Sequence, residues 1–215
     1  MASDDAVREV TMAKSYAEIA FTESVKRQQE QYGSRQQYAR MDRLARGTTL
    51  TFAETEFIAA RDGFYLATVG ELGYPYVQFR GGPPGFLRVL DAQTLGYADF
   101  RGNRQYITVG NLDQNDRASL ILMDYANQSR LKIYARIEVI HANDRPDLIE
   151  RLRVPGYDAE IERVMLLHVE AFDWNCPQHI TSRFTMEEIQ EMNAPLYEHV
   201  AKLEAELMRL KTQTK

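Results

Sequence analysis

The spacing of apolar residues changes from helical to alternating and back again along the chain, and the changes mark its elements. Within residues 15–46, otherwise rich in Gln, Arg, Glu and Tyr, the residues Tyr16, Ile19, Ala20 and Phe21 make a short helical stripe, which predicts an N-terminal helical arm. Thr51-Phe-Ala-Glu54 has capping-box spacing: a hydroxyl for the third backbone N–H and a carboxylate reaching back. With Phe57 and Ile58 on an apolar face, it predicts a helix over Phe52 to Arg61, broken at Asp62-Gly63. Phe64 to Val69 and Tyr76 to Arg80 then read as a hairpin about a turn at Gly70 to Gly73. Phe86 to Leu90 and Thr94 to Ala98 read as a second hairpin, and Arg104 to Leu112 as a short helix or turn. Ala118 to Asp124 and Leu131 to Ile140 are strong strands joined by the polar loop Tyr125 to Arg130, and the second alternates cleanly. A helix opened by Asp144 over Arg145 to Arg153 and a strand over Glu162 to Phe172 follow. Finally, Thr185-Met-Glu-Glu188 repeats the capping box, and Ile189, Met192, Leu196, Val200, Leu203, Leu207 and Leu210 recur at spacings of three and four, the mark of a long amphipathic helix.

These patterns predict a mainly β protein with flanking helices (α+β), built on a half-buried antiparallel barrel. The expected organisation is a helical arm over 1–50, a barrel domain over 51–184 and a C-terminal amphipathic helix over 185–215. The helical stripe must be covered by the barrel or by a partner subunit.

Composition narrows the function classes. The 215 residues are 44% hydrophobic, enough for a sizeable core, and the formal net charge of −5 with dispersed basic residues argues against a nucleic-acid binder. One cysteine, Cys176, excludes an internal disulfide framework and a cysteine-based zinc site, and fits a reducing compartment. The start of the chain lacks the basic and apolar regions of a signal peptide, and no apolar run is long enough to span a bilayer, so a cytoplasmic protein is expected. His141, His168, His179 and His199 are too dispersed for a local metal motif, and no metal is expected.

The chemistry concentrates in three segments. Arg80, Arg101, Asn103 and Arg104, with Gly102 allowing close backbone approach, form a candidate phosphate cluster, since the planar guanidinium suits bidentate phosphate binding; scattered surface arginines are the plainer alternative. Gly81-Gly-Pro-Pro-Gly85 reads either as a turn cluster or as an irregular strand end held against a cofactor; it lacks the spacing of Rossmann and Walker loops. Trp174 to Arg183 brings together an indole, a thiol, an imidazole, two amides and a guanidinium. Trp174 could equally fill a core, and His179 could be an acid or base, a ring donor or a structural histidine. Together the segments suggest a phosphate-bearing aromatic cofactor, flavin mononucleotide (FMN).

At these residues the chain resembles the pyridoxamine 5′-phosphate oxidase-like family of flavin-binding split barrels over about residues 52 to 185, most closely at Ala67-Thr-Val69, Pro75-Tyr76, Tyr97, the Arg101 to Arg104 turn, Trp174 and Arg183. The resemblance implies a split barrel of FMN-binding type and a homodimer with flavin at the interface. It implies cofactor contacts from Gln78, Phe79, Arg80, Gly81, Tyr97, Arg101, Asn103 and Arg104, with Trp174, Gln178, His179 and Arg183 closing over the ring from the partner subunit. The implied activity is an oxidoreductase acting on a small-molecule substrate or electron donor, with His179 serving proton exchange or a ring hydrogen bond and Arg183 stabilising charge. The alternative is a non-catalytic flavin- or haem-binding carrier or sensor.

Two departures accompany the resemblance. The oxidase proper carries an Arg-x-x-x-Ser-like substrate-phosphate motif between its last strands, where this chain has Arg145 to Pro155 without it, so vitamin B6 phosphate does not carry over as substrate. Gln78 replaces a basic residue in the phosphate-facing strand, with Arg80 two positions on along the same face, and Leu131 stands where a polar ring contact is expected.

Overall fold

The computed structural model describes residues 14–42, 47–174 and 177–213. Its helices are α1 (Tyr16–Ala20), α2 (Glu23–Gln31), α3 (Arg35–Asp42), α4 (Phe52–Ala59), α5 (Ile107–Gln114), α6 (Pro146–Leu152) and α7 (Met186–Gln213). The strands are β1 (Gly63–Val69), β2 (Pro75–Gly81), β3 (Arg88–Asp91), β4 (Thr94–Phe100), β5 (Arg117–Asp124), β6 (Ser129–His141) and β7 (Ile161–Trp174). The expected hairpins form, β1 with β2 and β3 with β4, both antiparallel. Both capping boxes form as well, at Thr51 with Glu54 and at Thr185 with Glu188. The helix expected to open at Asp144 instead has Arg145 as its cap, with Pro146 at the first helical position, where a missing N–H costs nothing.

Two compact units result, one from the residues within Met1–Asp124 and Arg130–Cys176, the other from those within Tyr125–Ser129 and Pro177–Lys215. The N-terminal helices therefore belong with the sheet, and Tyr16 of α1 stacks on Tyr134 of β6 at 5.0 Å. Among the described residues no helix is long and apolar enough to cross a membrane.

The first unit is a seven-stranded sheet in the order β2-β1-β5-β6-β7-β4-β3. Alternation assigns its faces: Phe64 and Leu66 of β1, Leu120 and Leu122 of β5, and Leu131, Ile133 and Ile137 of β6 turn inward and are buried. The sheet is closed on itself. With strands about 4.8 Å apart, β1 and β4 would lie roughly 19 Å apart in a flat sheet. Yet the rings of Phe64 on β1 and Tyr97 on β4 meet edge to face with centroids 5.5 Å apart. Similarly, Arg80 on the edge strand β2 donates from Nη1 to Asp99 Oδ1 on β4 at 2.9 Å, across five strand steps.

The glycine- and proline-rich segment serves this core. Gly85 sits at φ +81° and returns the chain so that Phe86, 2% exposed, stacks on Phe64 at 5.8 Å. A Cβ on Gly82 would lie 2.7 Å from the Phe86 ring, so the glycine is needed for packing.

Asp99 is 2% exposed and also accepts from Arg163 Nε of β7 at 2.9 Å, so one carboxylate joins β2, β4 and β7. Replacing Asp99 with Asn leaves two largely buried guanidinium groups facing a neutral amide. The expected cost is about 3–5 kcal/mol, read as a lowered urea midpoint; a loss below about 1 kcal/mol would show that the sheet does not depend on this bridge.

Candidate functional site

Beside the Arg80–Asp99–Arg163 bridge lies a cleft of about 340 Å³, formed by β2, the end of β4, the turn from Gly102 to Tyr106 and the start of α5. Its lining carries three arginines, Arg80, Arg104 and Arg163, against two carboxylates, Asp99 and Glu162, which leaves an excess of one positive charge. Two of the arginines are committed. Arg80 and Arg163 share Asp99, and Arg163 Nη2 also donates to Glu162 Oε2 at 2.7 Å. Arg104 is held more loosely: its Nε donates to the Tyr106 hydroxyl at 2.9 Å and lies 4.0 Å from Glu162 Oε1, and its side chain is more than half exposed.

The turn that presents Arg104 is strained. Arg104 and Tyr106 both have positive φ, 61° and 56°, a region costly for residues with a Cβ. Tyr106 is fixed from three sides: it accepts from Arg104, donates to Glu162 Oε1 at 3.2 Å, and lies under the Arg163 guanidinium at 4.9 Å. Its backbone is the N-cap of α5 but supplies no side-chain cap. The first N–H groups of an α-helix have no intrahelical acceptor, so residues 107–109, which line the cleft, present donors at the positive end of the helix. Gln78 adds an amide whose Oε1 accepts from the hydroxyls of Thr108 at 3.0 Å and Tyr76 at 3.4 Å, leaving its amide nitrogen to donate elsewhere. Asn103 accepts from the Gln105 N–H at 3.2 Å and shapes the turn. Arg80 Nε is buried without a partner, the kind of orphan donor that a bound polar group satisfies.

The structure thus brings Gln78, Arg80, Asn103 and Arg104 together on one cleft, and it leaves other expected contacts off its lining. Arg101 bonds Glu160 and lies near Glu162, outside the lining. Phe79 turns to the outer face, 57% exposed, against Tyr65 at 5.4 Å, and Gly81 lies beside its ring. Tyr97 is a core residue, 1% exposed, with a hydroxyl that makes no hydrogen bond. Burial of that phenol, partly opposed by nearby Arg80, raises its pKa far above the usual range. Gln178, His179 and Arg183 belong to the second unit: His179 has φ 64° in an exposed turn, and Arg183 lies over the Tyr125 ring at 4.8 Å. Cys176 lies outside the described residues. Sequence reasoning missed Thr108, Glu162 and Arg163; the uncapped start of α5 directly after the Arg-Gly-Asn-Arg turn was the available signal.

The family model described as pyridoxamine 5′-phosphate oxidase matches residues 50–172, which contain the whole cleft. The chain belongs to this family. A search of curated proteins finds no match. Among solved structures, a candidate pyridoxamine 5′-phosphate oxidase from Lactobacillus delbrueckii is 20% identical, with 59% of this chain and 94% of that one covered at a TM-score of 0.46. An FMN-binding protein from Syntrophomonas wolfei is 12% identical, with 68% and 97% covered at a TM-score of 0.45. With TM-scores below 0.5, these likenesses are too loose to assign function.

In this pyridoxamine 5′-phosphate oxidase family member the sole tryptophan, Trp174, ends β7 and is 39% exposed. Its Nε1 donates to Glu54 Oε1 at 2.7 Å, and Phe57 meets its ring edge-on at 4.7 Å. Burial alone would raise the Glu54 carboxyl, but hydrogen bonds from the Thr51 hydroxyl, Trp174 and the Thr51 N–H outweigh it and hold the pKa below its ordinary value. A carboxyl depressed in the folded state contributes stability that is fully present above its unfolded pKa, about 4.3, and lost as pH falls through the folded value. Trp174 fluorescence is therefore expected to titrate below the usual Glu range, and Glu54→Gln to abolish that transition. An unchanged titration in the variant would assign it to another group.

Proposed function

We propose that the cleft binds the phosphate end of FMN and that the protein is an FMN-dependent oxidoreductase acting on a small molecule in the cytoplasm. The observation that carries this reading is the uncapped start of α5 beside Arg104, the lining arginine with no partner in the Asp99 bridge. An anion there meets backbone donors, the positive end of a helix and a guanidinium at once. The residues fit a phosphate, and Arg80 Nε offers one further buried donor. Gln78 and Asn103 supply the polar contacts that a ribityl chain requires. When bound, flavin supplies the electron or hydride transfer, and the protein supplies position and electrostatics.

The ring is the less complete part of the site. No tryptophan or histidine lines the cleft. The proposal therefore gives Trp174, Gln178, His179 and Arg183 of a second copy the task of covering the ring, with His179 exchanging a proton or bonding a ring atom and Arg183 stabilising charge. The exposed apolar face of Tyr65, Val77 and Phe79 on β1 and β2 supports a homodimer, since such a patch favours cover.

Purified protein mixed with FMN and desalted is expected to keep a two-band visible spectrum and to bind riboflavin, which lacks the phosphate, more weakly. Arg104→Ala is expected to weaken FMN binding by roughly 10- to 100-fold and to leave riboflavin binding unchanged. Equal affinity of the native protein for both flavins would overturn the phosphate assignment. Retained flavin that exchanges electrons with no nicotinamide or deazaflavin donor would favour the carrier reading over the oxidoreductase.

A further inference from the structure

We propose that α7 pairs in parallel with α7 of a second copy of this chain, forming a two-stranded coiled coil. The proposal stands independently of flavin. The helix is 28 residues long, four heptads, and none of its residues is buried. Its apolar residues are exposed along its whole length, Leu196 at 58%, Leu203 at 46% and Leu207 at 55% among them. Pro195 lies inside the helix. An interior proline removes one hydrogen bond and crowds a preceding carbonyl, so a helix that carries one depends on packing to persist.

The heptad register identifies what packs there. With Leu196 at a d position, the other d positions hold Ile189, Leu203 and Leu210, and the a positions hold Met186, Asn193, Val200 and Leu207. Leucine at three of the four d positions, valine at one a position and a single asparagine at another favour two strands and fix their alignment, while Ile189 at d and Leu207 at a depart from that pattern. In a parallel pair Asn193 faces Asn193 of the other copy, amide to amide. In a fully overlapped antiparallel pair it faces Leu203 and its amide has no partner there. Pro195 falls at c, away from the seam.

The flanking positions agree with the parallel arrangement. There, a g residue meets the e residue five positions on in the other helix. Those pairs are Met192 with Tyr197, His199 with Glu204, and Glu206 with Lys211: one apolar, one that attracts when the histidine is protonated, and one oppositely charged. No pair sets like charges together. A parallel pair of identical helices is two-fold symmetric, the commonest symmetry of homo-oligomers.

Disulfide trapping in the full-length protein tests the seam directly. In a Cys176→Ser background, Leu207→Cys places a thiol at an a position, and Ala205→Cys places one at the outward f position. Only the seam position brings two identical residues within disulfide reach, so Leu207→Cys is expected to cross-link roughly tenfold faster or more under mild oxidation. Its rate should not change on dilution. In the antiparallel pair the two Leu207→Cys thiols lie about 27 Å apart and do not cross-link. Adding Glu206→Lys to Leu207→Cys is expected to slow the reaction, and adding Lys211→Glu to that variant to restore it. Equal rates at 205 and 207, no cross-link at 207, or a rate that falls with dilution would each overturn the proposal, whether α7 folds back on its own chain or pairs the other way.

Discussion

One buried carboxylate ties the closing strands of the sheet together. Asp99 sits on β4, and its two oxygens take Arg80 from the far edge strand β2 and Arg163 from the neighbouring β7. Buried ion pairs are weak contributors to net stability, because desolvation offsets most of the Coulomb gain, but breaking one is costly. Their value here is in specifying geometry. The Phe64, Phe86 and Tyr97 rings would favour many compact arrangements of an apolar interior, whereas two directed bonds from guanidinium groups to a single carboxylate admit few. The same bridge is one wall of the cleft, so the contact that closes the sheet also shapes the candidate site.

That economy has an electrostatic consequence. Asp99 and Glu162 together balance two of the three arginines lining the cleft, and the remaining positive character comes from the third guanidinium and the start of α5. The chain reaches this arrangement through a turn with two non-glycine residues at positive φ. Such backbone costs on the order of 1–3 kcal/mol per residue and persists only where surroundings enforce it. Tyr106 supplies the enforcement, through Arg104, Glu162 and Arg163. A turn held this firmly presents its donors before any ligand arrives, which lowers the ordering cost of binding.

Local signals were legible in the sequence and long-range partners were not. Alternation in Tyr76 to Arg80 and Leu131 to Ile140 marks β2 and β6; in β6 one buried face imposes the period of two, whereas in β2 the apolar Val77 and Phe79 are the exposed residues. Turn residues mark both hairpins. Arg80, by contrast, read as a free cation because Asp99 lies nineteen residues on and on another strand, and nothing local couples them. Arg101 lies off the cleft lining for the same reason, its acidic partner being Glu160. The capping box at Thr51 was visible, but the second oxygen of Glu54 holds Trp174, 120 residues away, so an indole read as site chemistry is anchored to the start of α4.

The C-terminal helix inverts this limit. For a contact between different parts of a chain, periodicity shows that a face is covered but not by what. When a helix pairs with its own copy, both surfaces are written in one sequence, and each flanking residue tests the proposed alignment. Asn193 gives that test its force. A polar residue in an apolar seam is a cost in most alignments and a satisfied pair only where it meets its own image. A helix selected merely for solubility or for cover by a smooth apolar surface would have no reason to place its one seam amide at a, proline outside the seam, and opposite charges on either side. The spacing of three and four establishes amphipathicity; the identities at those positions carry the argument to a parallel pair.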